Sequence, residues 1–151
     1  MIKVITILLL FFSTSCFAET EMDRQLKIMG LVDSNYKVTD EAEYIKFWRN
    51  VSKETVKNLP IHLSDESRIV MMGISPDLYF MTMELDVEED TLEIEQRYLN
   101  ASKSNFCKSN YGKSKVIRAN GGMTVAIMVV NKYYENILDY RFSSLECPIS
   151  E

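Results

Sequence analysis

Three places in this 151-residue chain carry residue types at spacings that could do chemistry, and each lacks a part the chemistry needs. His62 is the only histidine, so a nucleophile–base–acid triad would have to be built on it. It lies just past Pro60 at a helix exit, no glycine-flanked serine accompanies it, and it reads as a half-exposed strand residue. Gly112-Lys113-Ser114 has the ending of a phosphate-binding loop, but the glycine required five residues before Gly112 is Cys107. Asp86, Glu88 and Asp90 are spaced like the opening of a calcium loop. Position six, however, would be Thr91 instead of Gly, and position twelve Arg97 instead of Glu. The nine methionines fall mostly in strand-like segments, where alternation makes them core filler rather than soft metal ligands. No catalytic residue, metal or cofactor is therefore assigned.

The cysteines point to structure and to compartment. Met1 to Ala18 reads as a secretory signal peptide: Lys3 supplies the positive start, Val4 to Phe12 (VITILLLFF) the hydrophobic run, and Cys16 and Ala18 the small residues before a cut after Ala18. Nine residues fall far short of the roughly 20 that a membrane-spanning helix needs. An alternative makes Cys16 the lipidated first residue of a bacterial lipoprotein, although Ser13 stands where such sites usually carry Leu. Past the leader, residues 19–151 make one domain, formally 16 basic against 22 acidic residues. That balance argues against nucleic acid as a partner, and no block of Lys and Arg stands ready for anionic lipid. Two cysteines remain, Cys107 and Cys147, and an even pair in an oxidising compartment is most simply a disulfide.

The elements that would carry these residues follow from periodicity. Met22, Leu26 and Met29 have helical spacing, with Gly30 placed as a left-handed cap. Asp40 and Glu43 have the spacing of a capping box opening a second helix, along which Ile45, Trp48, Ser52, Val56 and Leu59 line one face until Pro60 stops it. Alternation then takes over: Arg68 to Ile74 and Leu78 to Val87 flank the turn Ser75-Pro76-Asp77. Asp90 or Thr91 caps a third helix reaching about Phe106, and Ser114 to Ala119 adds a short turn before Asn120-Gly121-Gly122. A second hairpin, Met123 to Val130 and Ile137 to Leu145, turns across Lys132 to Glu135. The expectation is an α+β fold: an antiparallel sheet of two hairpins, about four strands, with helices packed on one face.

In this order the pieces resemble a group of small exported proteins of Gram-negative bacteria. The resemblance rests on a helix ending in Asn58-Leu59-Pro60, the Asp65-Glu66-Ser67-Arg68 turn, a hairpin with Tyr79 and Phe80, a helix reaching Cys107, then Gly122, a hairpin and a terminal Cys147. It spans about residues 45 to 147 and departs from the group at Tyr133-Tyr134-Glu135-Asn136, where an Asp-x-x-Gly turn is usual. It implies a periplasmic α+β module with a bridging disulfide, and no activity. Pilot proteins that escort secretion pores are analogous in scale and location.

The functional expectation is a non-catalytic periplasmic or secreted module that binds another envelope protein. The alternative is a small envelope hydrolase or ligand-binding enzyme whose site is assembled from dispersed residues. For a binding module, the tip of the last hairpin is the place to look. Tyr133 and Tyr134 are adjacent, so on an extended chain they point to opposite sides and cannot both face one core.

Overall fold

The computed structural model describes residues 19–86 and 92–148, with the side chains of the helix that begins at Leu92 described from Tyr98 onward. The expected leader with its Ala18 boundary, the alternative anchor Cys16, and the expected caps Asp90 and Thr91 lie outside the described residues. Helix α1 (Glu21–Ile28) opens on a capping box in which Thr20 and Asp23 satisfy each other's backbone N–H. It closes where Gly30 takes φ 71°, a conformation that disfavours any side chain. Helix α2 (Glu41–Val56) is capped by the Asp40 carboxylate, which accepts from Glu43 N at 3.1 Å. Its buried stripe is rotated from the expected one: Tyr44 and Trp48 are buried, whereas Ile45 and Val56 are exposed. The reason is aromatic. The rings of Tyr44 and Phe47 meet Trp48 edge-on at 6.0 and 5.7 Å, and this cluster removes more apolar area from water than the two aliphatic residues would.

Five strands follow: β1 (Ile61–Ser64), β2 (Ser67–Ile74), β3 (Leu78–Leu85), β4 (Thr124–Asn131) and β5 (Asn136–Ser143), ordered along the sheet as in sequence. Both expected hairpins form, β2–β3 and β4–β5, but the sheet is mixed rather than antiparallel, because β3 and β4 run parallel from Leu78 opposite Thr124 to Leu85 opposite Asn131. A parallel neighbour requires the chain to return to the end it started from. Here it does so through α3 (Leu92–Lys108), α4 (Asn110–Lys113) and α5 (Lys115–Ala119). The fifth strand is β1, whose four residues are too few for alternation to show.

One face of the sheet and the helices share the core. Met83 and Leu85 of β3, Val125, Ile127 and Val129 of β4 and Phe142 of β5 are buried against Leu26, Trp48, Phe106, Val116 and Ile117. Each such side chain contributes about 1.5–3 kcal/mol of transfer free energy. On the opposite face Met71 and Met128 are exposed. The chain after β5 makes a short 3₁₀ turn (Ser144–Glu146) that brings Cys147 to the end of α3, where the two Sγ atoms are 1.96 Å apart.

Candidate functional site

The core-facing side of the sheet is not wholly covered by helices. Beside α3 the sheet leaves an apolar cleft of about 290 Å³. It is lined by Ile69, Met81, Met83 and Ile127 of the sheet, by Leu63 of β1 and by Ser102 and Asn105 of α3, and part of its lining is aromatic. There Tyr79 lies 5.5 Å from the ring of Phe106 and 6.0 Å from that of Tyr111, which in turn lies 6.0 Å from Trp48. Leu63 is 53% exposed and Met81 half-buried, so a ligand meets unfilled hydrocarbon as it enters. Among the described residues the only ionisable groups here are the two tyrosines. Burial pushes the Tyr79 phenol up to about 12 and that of Tyr111 in the same direction. Both stay neutral near pH 7, so the described residues of the cleft include no group poised for proton transfer and offer contact area instead.

A second, polar hollow lies where β1 and β3 end and β2 begins. It holds His62, Ser64, Glu84 and Asp86, the ingredients a hydrolase would need, yet they are not wired for it. The Glu84 carboxylate is held by the Arg68 guanidinium through two bonds of 3.0 Å, and Ser64 Oγ pairs with Ser67 Oγ at 2.7 Å. His62 is exposed and, among the described residues, makes no side-chain hydrogen bond that would orient it. Gly112-Lys113-Ser114 serves packing. A Cβ on Gly112 would sit 2.3 Å from the carbonyl oxygen of Phe106, and the buried Ser114 Oγ accepts from Ile117 N to cap α5. Of the calcium-loop pattern, Glu88 and Asp90 lie outside the described residues.

The hairpin tip is well defined. Asn131, buried at the end of β4, accepts through Oδ1 from Tyr133 N at 2.9 Å and Glu135 N at 3.0 Å, and donates through Nδ2 to the Glu135 carboxylate at 2.8 Å. Sequence reading missed this clamp, although an Asn followed by a four-residue reversal is a turn signal. Tyr133 and Tyr134 are each 64% exposed, and Lys132 Nζ lies 5.5 Å from the Tyr133 ring centroid. Tyr134 adopts φ 63°. That conformation costs a residue with a Cβ about 1–2 kcal/mol, while glycine's freedom in the unfolded chain returns roughly 0.4–1 of it. The substitution also removes the interaction of the Tyr134 hydroxyl with the Arg68 guanidinium, so Tyr134→Gly is expected to leave stability within about 0.5 kcal/mol of the unaltered protein in urea unfolding. A clear loss would show that the ring packs on the sheet.

Among solved structures the chain is similar to a pilotin of the type 2 secretion system of Vibrio vulnificus, at 17% identity and TM-score 0.54 over 73% of this chain and 96% of that one. It is likewise similar to the type II secretion system pilotin of Vibrio cholerae, at 13% identity and TM-score 0.53 over 71% and 94%. A protein of Pseudomonas aeruginosa classed as secreted shows 12% identity and TM-score 0.51 over 72% and 96%. At such identities the likeness is one of fold. No protein-family model matches the chain, and no curated protein matches its sequence.

Proposed function

We propose that this protein is a non-catalytic adaptor of the cell envelope that holds a segment of another envelope protein, acting in the manner of a pilotin. The observation that carries the reading is the cleft beside α3, lined mainly by aliphatic, aromatic and methionine side chains with Ser102, Asn105 and Ser109 along one side, whose ionisable groups among the described residues are two neutral phenols. A hydrolase would need a nucleophile and a base converging in such a cleft, whereas a bound segment of a partner gains from the apolar area it buries there. The fold shared with two secretion-system pilotins supports the same reading.

Leu63 provides the test, because its exposure lets a charge be placed there without disturbing the core. Burying a leucine contributes about 1.5–3 kcal/mol and tenfold in affinity is about 1.4. Leu63→Asp should therefore weaken recovery of the crosslinked partner roughly tenfold or more while leaving the melting temperature unchanged. Photo-crosslinkers at Ser102 and Asn105 should capture the same partner. Full recovery by Leu63→Asp, with no capture from α3, would remove the cleft as the docking site.

The hairpin tip is a second contact in this reading, favoured by two largely exposed aromatic side chains on a clamped turn whose Tyr134 backbone is strained. Tyr133→Ala and Tyr134→Ala, each folded as judged by melting, should lower partner recovery. If both retain it in full, the tip is not part of the interface.

A further inference from the structure

The protein is acidic, but its charges are segregated. None of its 22 acidic residues lies between Tyr98 and Tyr134, whereas six of its 17 basic residues do, which leaves 11 basic against 22 acidic elsewhere. The sequence hides the cluster because the lysines come singly. Folding gathers them, since Lys103, Lys108 and Lys113 border one hollow of about 480 Å³ at the elbow between α3 and α4, beside the Cys107–Cys147 bridge. Lys103 is engaged by Glu146 at 2.7 Å. Lys108 and Lys113 are exposed, and among the described residues neither meets a carboxylate.

Two further facts give this cationic end a direction. It adjoins the start of the domain: Lys108 also borders a hollow with Glu21 and Met22 of α1, and the backbone N of Lys115 donates to Asp23. On the alternative reading of the leader, in which Cys16 is the retained and lipidated first residue, the anchor stands three residues before Glu19. In addition, α3 presents opposite faces to two different environments. Ser102, Asn105 and Phe106 line the apolar cleft, whereas Lys103, Ser104, Cys107 and Lys108 line the cationic hollow.

We infer that the α3–α4 elbow binds the anionic headgroups of phospholipids, so that the protein sits on a membrane surface with its apolar cleft turned away from the lipid and open to a partner. A lysine near an anionic surface is worth about 1 kcal/mol, or about fivefold in partitioning, and the attraction is screened within a Debye length. The test is co-sedimentation of the purified protein carrying Cys16→Ser, so that no acyl chain at that residue contributes. The vesicles are phosphatidylcholine alone or phosphatidylcholine with phosphatidylglycerol. Binding should need the anionic lipid, be lost at high salt, and fall about 25-fold when Lys108→Gln and Lys113→Gln are combined. Leu63→Asp should bind these vesicles as well as the unaltered protein does, which separates this inference from the role of the cleft. Equal binding to neutral vesicles, or undiminished binding by the double lysine variant, would overturn it. So would capture of an acidic polypeptide such as polyglutamate by these lysines without vesicle binding.

Discussion

Replacing Cys107 and Cys147 together by alanine is expected to lower the melting temperature by roughly 14 °C. The two residues are 40 apart in sequence, and a cross-link closing a loop of that size removes conformational freedom from the unfolded chain worth about 4 kcal/mol. A domain of this size gains on the order of 0.28 kcal/mol per kelvin in entropy on melting, which converts the first figure to the second. The native side of the comparison is favourable as well. Cys147 is 2% exposed, and its carbonyl accepts from Arg118 Nη2 at 2.9 Å, so the bridge joins elements already held by other contacts. Thermal unfolding of the double variant, and of the unaltered protein with and without reductant, measures the effect. A fall of only a few degrees would show that these contacts hold the terminus without the bond. Function should follow stability here, because Phe106, adjacent to the bridge, packs on Tyr79 in the aromatic part of the cleft.

What the sequence made legible was what local pattern can specify. Alternation along Leu78 to Val87 puts Tyr79, Met81, Met83, Leu85 and Val87 on one face; Val87 lies outside the described residues, and of the others the structure buries Met83 and Leu85 while Tyr79 and Met81 border the cleft. Hairpin turns do not say how one hairpin joins another. The parallel junction of β3 with β4 is decided by the crossover through α3, α4 and α5, whose length was the available signal. The cleft was invisible for a related reason. Met81 reads as core in one dimension, and only the position of α3 leaves it half-buried. Nor could linear spacing show that three lysines five residues apart border one hollow, since that depends on the turn at Ser109. His62, the residue of greatest chemical promise in the sequence, is exposed at a strand edge.

The least legible residue is Asp23, which sequence pattern marks only as an acidic residue in a first helical turn. It is completely buried. Its carboxylate accepts from Lys115 N at 2.9 Å, Val116 N at 3.2 Å and Thr20 N at 3.4 Å, and from the hydroxyl of Ser114. One side chain therefore caps α1 and, from 91 to 93 residues away in sequence, serves the first turn of α5. Hydrogen bonds to a charged acceptor contribute about 1.5–3 kcal/mol each, and donors left buried without a partner cost a further 1–3. Asp23→Ala is expected to lower stability by about 3 kcal/mol, the sum being reduced where water enters the space and restores some bonds. Asp23→Asn, which keeps one acceptor oxygen, should cost roughly half as much by the same reasoning. Pairing each change with Ser114→Ala in a double-mutant cycle separates this bond from general disruption, and a coupling of about 1 kcal/mol or more is the expected result. Because Asp23 joins α1 to the rest of the domain, amide exchange in α1 should quicken more than in β4 when it is removed. Uniform quickening in both, with no coupling to Ser114, would mean that Asp23 acts only through α1's own cap and does not tie that helix to α5.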